Sequence, residues 1–190
     1  MPDAHPARPG TSEEAGDRGF HEDTGVEVPV PADGELWTVG AVILDAQGRA
    51  FAQRRAADRR LFPGTWDIVG GHVEPGETLL GALAREIAEE TGWRLRRVRR
   101  SLGVVTWTGD DGLGLRHEAD FLVDVDGDPE RPVLEWSKHS GFGWFGPPDL
   151  DRLKENRSPG EFEIHDLIAG VLLGGEAGRF PQREAPPGSA

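Results

Sequence analysis

The sequence predicts an α/β fold in which a mixed β-sheet lies between helices. Two features of the chain support this prediction. Apolar, β-rich segments occur both before and after a helical segment that follows the turn at Pro75-Gly76. A second amphipathic helix is predicted over Phe162–Leu173, after the last of these strands. Strands that flank one helix and precede another form a sheet with helices on both faces.

Composition limits the classes of function. The chain has 190 residues, of which 36% are hydrophobic, enough for one domain with a core. It has no cysteine, which excludes disulfides, thiolate metal sites and a cysteine nucleophile. The net charge of −13 disfavours binding to duplex nucleic acid. No apolar run approaches the ~20 residues of a membrane span, and no signal-peptide pattern is found, so we expect a soluble cytoplasmic protein that binds no membrane.

Charge and proline content divide the chain into three parts. Residues 1–35 hold five prolines and nine acidic residues but only two arginines, and we expect a poorly ordered N-terminal tail. The segment Val26–Pro31 could lie along the domain, although its prolines exclude a central strand. The folded domain is predicted over residues 36–174, and residues 175–190 form a C-terminal tail.

The predicted strands are short and separated by turns. Leu36–Leu44 is apolar and β-rich, and Arg49–Arg55 returns after the turn at Asp45–Gly48, so the two are expected to form a hairpin. Asp110–Gly114 is predicted as a turn. The other predicted strands are Ile68–Val69, Leu102–Trp107, Leu115–Val125 and Phe142–Phe145, and Asp149–Asn156 is predicted as a short helix.

The segment Gly71–Trp93 carries the chemistry. Its helix places Glu86, Glu89 and Glu90 at spacings i, i+3 and i+4, where their carboxylates lie close together. Such carboxylates repel one another unless a cation lies between them, and hard divalent cations such as Mg²⁺ or Mn²⁺ favour oxygen ligands. The alternative is a solvated acidic face. The helical wheel favours the metal, because Glu86 and Glu90 border the apolar stripe.

The end of this helix is also readable in the sequence. Gly92 suits the left-handed position that follows a helix, and Trp93 can fold back onto the last turn. We therefore expect the helix to stop at Thr91.

The same segment resembles the signature of the Nudix hydrolases, G-x5-E-x7-R-E-U-x-E-E-x-G-U, in which U is apolar. Flanking features extend the resemblance over about Leu36–Leu173. Many members have proline before the glycine pair, where this chain has Val69. The match is without a gap and comprises Gly71, Glu77, Arg85, Glu86, Ile87, Glu89, Glu90, Gly92 and Trp93.

The resemblance implies a Nudix-type α/β/α sandwich and a Mg²⁺-dependent hydrolase, with Mn²⁺ as a substitute. The reaction would cleave the pyrophosphate linkage of a nucleoside diphosphate joined to another group, X. Glu135 lies in a region that resembles the family's E-P-x-K-H segment, although Trp136 stands where proline is common. The resemblance implies that Glu135 is a further metal ligand. The implied metal ligands are Gly71, through its carbonyl, and Glu86, Glu89, Glu90 and Glu135. The catalytic residues are expected to be Glu86, Glu89 and Arg85, with Glu77 orienting them; Glu86 is either a ligand or the general base.

Several residues outside this segment have two interpretations. Arg55 could contact phosphate or belong to a solvated basic patch. Trp66 could stack on a base, although packing of its loop onto the core is favoured. His117, Glu118 and Asp120 could extend the metal site or occupy an exposed strand end. The five arginines between Arg94 and Arg100 indicate an exposed strand face rather than a nucleic-acid surface.

Three functions fit the resemblance. Hydrolysis is favoured because the signature is intact. The isopentenyl-diphosphate isomerase branch of the fold uses a cysteine, which this chain lacks. A non-catalytic domain that senses or binds nucleotides is the remaining alternative. We expect the substrate to be a small nucleoside diphosphate derivative. The sequence identifies neither the group X nor the base. A homodimer is possible, since dimers are the commonest closed assembly.

Overall fold

The structure, a computed structural model, describes residues 19–108 and 114–174. Two sheets and two α-helices form the domain. A 3₁₀ helix, Pro147–Lys154, follows the last strand, and the α-helices are α1, Leu79–Thr91, and α2, Glu163–Leu172. The strands are β1 His21–Glu22, β2 Leu36–Ile43, β3 Ala50–Arg55, β4 Trp66–Asp67, β5 Val69–His72, β6 Arg94–Thr108, β7 Leu115–Asp126 and β8 His139–Phe145.

The larger sheet has five strands in the order β1-β6-β7-β2-β5. It is mixed, because β2 runs parallel to β7 and antiparallel to β5. The smaller sheet, in the order β4-β3-β8, is antiparallel. Successive side chains of a strand point to opposite faces, and Ala41 of β2 packs in the core under α1 while Val42 packs in the core under α2. Helices therefore cover both faces of the mixed sheet, which confirms the predicted fold class.

The predicted hairpin of the first two strands is wrong in one respect. The turn forms, since the Asp45 side chain accepts hydrogen bonds from the backbone N–H groups of Gln47 and Arg49. Beyond a single bridge between Leu44 and Ala50, however, the strands separate into different sheets. The reason is that β2 already pairs with β5 and β7 along both of its edges and has no free edge for β3.

Strand β6 is longer than predicted and includes the arginine-rich segment. Arg94 pairs with Asp126 at 2.6 Å, Arg96 with Asp124 at 3.3 Å, and Arg97 donates to Asp23. The arginines thus lie on an exposed strand face where acidic neighbours offset much of their charge, in agreement with the expectation from sequence.

Residues 20–28 contact the domain. Val26 and Val28 belong to the segment that was expected to lie along it, whereas residues 20–25 fall in the predicted poorly ordered tail. His21 and Glu22 pair with β6, and Phe20, Val26 and Val28 pack against the core under α1. Asp23 meets an arginine that lies 74 residues away in the chain, a long-range pairing that local composition cannot reveal. Residues 1–18, the C-terminal tail 175–190 and most of the predicted turn at Asp110–Gly114 lie outside the described residues.

Helix α1 has well-defined ends. The Thr78 hydroxyl accepts a hydrogen bond from the Gly81 N–H, which caps the first turn. Gly92 has φ of 70° and ends the helix in the left-handed conformation, while Trp93 is buried beside Phe51. The predicted helix end is therefore confirmed.

No helix within 19–108 and 114–174 has the length and apolar character needed to cross a bilayer.

We expect Gly92→Ala to destabilise the protein by about 1–2 kcal/mol, because a side chain in the left-handed conformation is strained. The added Cβ would also lie 3.0 Å from Cβ of Val133. Gly170→Ala is the matched control, because Gly170 lies in α2 and an added Cβ would have no described atom within 4 Å. This variant should raise the free energy of unfolding by up to about 1 kcal/mol. Urea unfolding measures both. Equal changes in the two variants would contradict the role of Gly92.

Candidate active site

Arg85 joins the acidic residues at the start and centre of α1. Its Nε and Nη2 atoms donate to both oxygens of Glu77, each at 3.0 Å. Its Nη1 donates to Glu86 at 2.8 Å and to Glu89 at 3.3 Å, and Nη2 also donates to the His72 carbonyl. The hydrogen bonds from Arg85 lower the pKa of Glu77. One guanidinium therefore fixes three carboxylates relative to the loop that precedes the helix.

Glu90 is held separately, beneath the glycine pair. It is 4% exposed, and its Oε2 accepts hydrogen bonds from Gln53 Nε2 at 2.5 Å and from the Gly70 N–H at 3.2 Å. Burial raises the pKa of Glu90 to about 7, and the nearby charge of Glu86 acts in the same direction. The carboxylate is thus anchored but poorly neutralised.

Glu86 lies directly against the backbone of Gly71. A Cβ added to Gly71 would be 2.3 Å from Glu86 Oε1, so a larger residue here would displace the carboxylate. Glu86 is 6% exposed, whereas the Glu89 side chain is 51% exposed. The glycine of the signature is therefore required for this approach of backbone to carboxylate.

These residues fit a divalent cation in their chemistry. Within the described residues no three acidic or histidine side chains converge as a formed metal site. The donors are nevertheless carboxylate oxygens beside a backbone carbonyl, the set that Mg²⁺ prefers. Glu86 and Glu90 are 6% and 4% exposed, and buried carboxylates are costly unless a cation accompanies them. Glu89 is exposed enough to turn toward them.

Glu135 lies in the loop before β8 and is paired with Lys138. Its Oε2 is 2.7 Å from Lys138 Nζ, and its Oε1 accepts a hydrogen bond from the Ser137 hydroxyl. The hydrogen bond from Lys138 lowers the pKa of Glu135. Burial lowers the pKa of Lys138, but the hydrogen bond to Glu135 and the charges of Glu90 and Glu86 together raise it, so the Glu135–Lys138 pair is within electrostatic range of these carboxylates of α1.

Two buried polar residues near Glu90 were missed by sequence reasoning. Gln53 of β3 donates to Glu90, and His139 Nε2 lies 4.0 Å from Glu90 Oε1. Burial lowers the pKa of His139 to about 4, so the imidazole is neutral. Gln53 Oε1 and His139 Nδ1 have no hydrogen-bond partner among the described atoms. A glutamine inside the otherwise apolar start of β3 was the available signal for the first of these residues.

The structure places Arg55 and Trp66 around one loop. Arg55 donates to the Leu61 carbonyl at 3.0 Å and to Asp67 at 3.2 Å. Trp66 is 5% exposed, packs edge-on against Phe145 and donates to Glu155. The favoured interpretation, in which Trp66 packs its loop onto the core, is therefore confirmed. Stacking on a base is not, because pairing of β4 with β3 directs the ring into the core. A phosphate contact by Arg55 stays a prediction.

A second group of carboxylates lies on the other face of the mixed sheet. We call Asp67, Glu118 and Asp120 the acidic recess. Glu118 accepts a hydrogen bond from Trp107 Nε1, and Asp120 is 5% exposed. Burial raises the pKa of Glu118 to about 7 and that of Asp120 well above its ordinary value; the neighbouring acids add to both shifts.

The position of Glu118 and Asp120 agrees with neither interpretation of this segment given above. Glu118 and Asp120 share the α2 side of β7 with Leu122, so they do not extend the cluster on α1. Asp120 is buried and therefore does not belong to an exposed strand end either. His117 stacks on Trp37, with ring centroids 4.8 Å apart.

Comparison with known proteins places the chain in a family. The model of the NUDIX domain matches residues 34–167. The chain belongs to the Nudix family and is a hydrolase of that family. The nucleoside triphosphatase NudI of Escherichia coli K12 is 31% identical over 122 residues, which cover 60% of this chain and 84% of the relative.

Solved structures agree with this membership. A MutT Nudix hydrolase from Burkholderia pseudomallei superposes with a TM-score of 0.51 at 29% identity, covering 62% of this chain and 84% of the other. The Nudix domain of NrtR from Shewanella oneidensis, solved in complex with ADP ribose, has a TM-score of 0.50 at 20% identity, over 65% and 79% of the two chains. This last likeness concerns the fold alone.

The acidic recess predicts how stability depends on pH. The pKa of Asp120 is raised above its unfolded value of 3.8, so the folded protein keeps a proton that the unfolded chain loses. Its contribution to stability is therefore present at low pH and is lost as pH rises through the folded-state pKa. Asp120→Asn should lessen the fall in the free energy of unfolding between pH 5 and pH 8 by about 1 kcal/mol or more.

Urea unfolding at the two pH values, with EDTA present, measures this effect. Asp126→Asn is the control, since its exposed side chain lies at the end of the same strand. An unchanged pH dependence in Asp120→Asn would contradict the burial of a carboxyl proton at this position.

Proposed function

We propose that this enzyme hydrolyses the pyrophosphate linkage of a nucleoside diphosphate joined to another group, X, and that it uses Mg²⁺, or Mn²⁺ in its place. The observation that carries the proposal is the set of three carboxylates on α1, two of them buried, gathered beside Gly71 and Arg85. Phosphoryl transfer depends mainly on positioning and charge neutralisation, which such a set provides.

Each residue of the site has a role in this proposal. The carboxylates of Glu86 and Glu90 and the Gly71 carbonyl would hold the cation, and Glu135 would join them from its loop. When bound, the cation neutralises the diphosphate and lowers the pKa of a water. Glu89 is the most exposed of the three carboxylates on α1, so it can reach a water and accept its proton.

Arg85 and Glu77 position the carboxylates. Their hydrogen bonds fix Glu86 and Glu89 in orientation, as the residues behind metal ligands do in general. Gln53 does the same for Glu90 from the opposite side. His139 is neutral and lies beside Glu90, so it adds no positive charge there.

The relatives support a nucleotide as substrate. One is a nucleoside triphosphatase, and the Nudix domain of another was solved with ADP ribose. The complete signature favours turnover over a domain that only binds nucleotide. The cytoplasmic location and the homodimer expected from the sequence stay predictions.

Glu89→Gln and Glu90→Gln should each lower kcat/KM by at least about 100-fold, because a proton acceptor or a cation ligand is lost. Release of phosphorylated products from nucleoside triphosphates and nucleotide sugars, with Mg²⁺ or Mn²⁺, measures this. Glu130→Gln, in an exposed loop, should retain activity. A folded Glu89→Gln variant with full turnover would remove Glu89 from the reaction.

Gln53→Leu should weaken Mn²⁺ binding about 10–100-fold, because Glu90 loses the donor that orients it. Titration of Mn²⁺ followed by electron paramagnetic resonance measures the affinity independently of turnover. Gln47→Leu, at an exposed turn, is the matched control. If both variants bound Mn²⁺ like the parent protein while folded, Gln53 would have no positioning role.

A further inference from the structure

Glu135 and Lys138 form an ion pair within one tight turn. The Glu135 carbonyl accepts hydrogen bonds from the backbone N–H groups of Lys138 and His139, at 2.8 Å and 3.0 Å. The turn brings the Lys138 ammonium to 2.7 Å from Glu135 Oε2, while Oε1 accepts a hydrogen bond from the Ser137 hydroxyl. Both carboxylate oxygens of Glu135 are therefore engaged by groups of its own turn.

This turn is fixed beside the carboxylates of α1. The Lys138 carbonyl accepts a hydrogen bond from the Ala56 N–H, directly after β3, at 2.9 Å. His139, the next residue, lies 4.0 Å from Glu90 Oε1. The charges of Glu90 and Glu86 act on the Lys138 ammonium. Lys138 thus places a positive charge at the border of the group of carboxylates that the proposed function assigns to a cation.

The ion pair opposes the ligand role of Glu135. An ammonium and a divalent cation on one carboxylate repel each other, because like charges a few ångströms apart interact unfavourably. Glu135 therefore binds a cation strongly only if Lys138 withdraws. The lysine side chain is free to do so, because it is 37% exposed and carries its charge on a flexible four-carbon stem.

A withdrawn Lys138 has a second partner in the substrate. The ammonium of lysine binds phosphate oxygens as a compact point charge. The two neighbouring guanidinium groups are held more firmly: Arg85 donates to three carboxylates, and Arg55 is bonded to Asp67 and to the Leu61 carbonyl. Of these three cationic side chains, Lys138 is the one with a single flexible ion pair to exchange.

We propose that Lys138 competes with the cation for Glu135 and that, once displaced, its ammonium binds a phosphate of the substrate. The inference rests on the proposed function and adds a phosphate-binding residue to it. Glu135 exchanges one positive partner for another, so that binding of the cation and binding of the phosphate are coupled through this pair.

Lys138→Met should have opposite effects on two ligands of the full-length protein. Mn²⁺ should bind at least about threefold more tightly, because a competing charge is removed, and electron paramagnetic resonance measures this. Methylenediphosphonate, a stable diphosphate analogue without a base, should bind at least about tenfold more weakly in saturating Mn²⁺, as measured by calorimetry. Lys154→Met is the matched control and should change neither affinity, because Lys154 forms an ion pair of the same spacing with Asp151 in the 3₁₀ helix.

Glu135→Gln separates this exchange from simple damage to the turn. It should weaken Mn²⁺ binding at least about tenfold, because a ligand of the cation is lost. At saturating Mn²⁺ it should bind methylenediphosphonate within about threefold of the parent protein, because Lys138 is released for the phosphate. A damaged turn would instead weaken both ligands in both variants.

The inference is overturned if folded Lys138→Met binds Mn²⁺ no more tightly than the parent protein, or if it binds methylenediphosphonate equally well. Unchanged Mn²⁺ binding in Glu135→Gln, or no binding of methylenediphosphonate by the parent, also overturns it. Hydrolysis is assayed separately. Turnover without these shifts in affinity would refute the exchange alone, whereas the expected shifts without turnover would refute the proposed reaction and leave the exchange in place.

Discussion

The guanidinium of Arg85 is the interaction on which the carboxylate cluster depends. Four acidic side chains lie within a segment of fourteen residues, and their mutual repulsion would disperse them into solvent. Arg85 bonds to Glu77, Glu86 and Glu89 and to the backbone that precedes the helix. It therefore supplies the charge and the directional hydrogen bonds that keep acids assembled before any cation arrives.

The two faces of the mixed sheet carry different polar chemistry. On one face, α1 presents the carboxylates for phosphate chemistry, with Gly70 and Gly71 bringing the backbone of β5 to them. On the other face, Asp120 lies between glycines on the α2 side. Because β2 lies between β5 and β7, the two groups are separated both by one strand and by the thickness of the sheet.

The sequence predicts best what depends on nearby residues. The spacing of Glu86, Glu89 and Glu90 follows from helix geometry, and the end of α1 follows from the conformational freedom of Gly92. Pairing over long distances is not encoded in this local manner. The separation of β3 from β2 depends on β5 and β7 occupying both edges of β2, and the burial of Trp66 depends on Phe145 and the 3₁₀ helix. Gln53, His139 and Asp120 gain significance only from what tertiary packing places beside them.

The short parallel strand β1 has a consequence for association between molecules. It covers part of the outer edge of β6, and the Asp23 carboxylate grips Arg97 at the same place. Free backbone at a sheet edge is a template for strands of other chains, which leads to polymers. Residues 21–23 thus cover part of the edge of the long arginine-rich strand, which leaves fewer backbone groups there for pairing with a second copy of the chain.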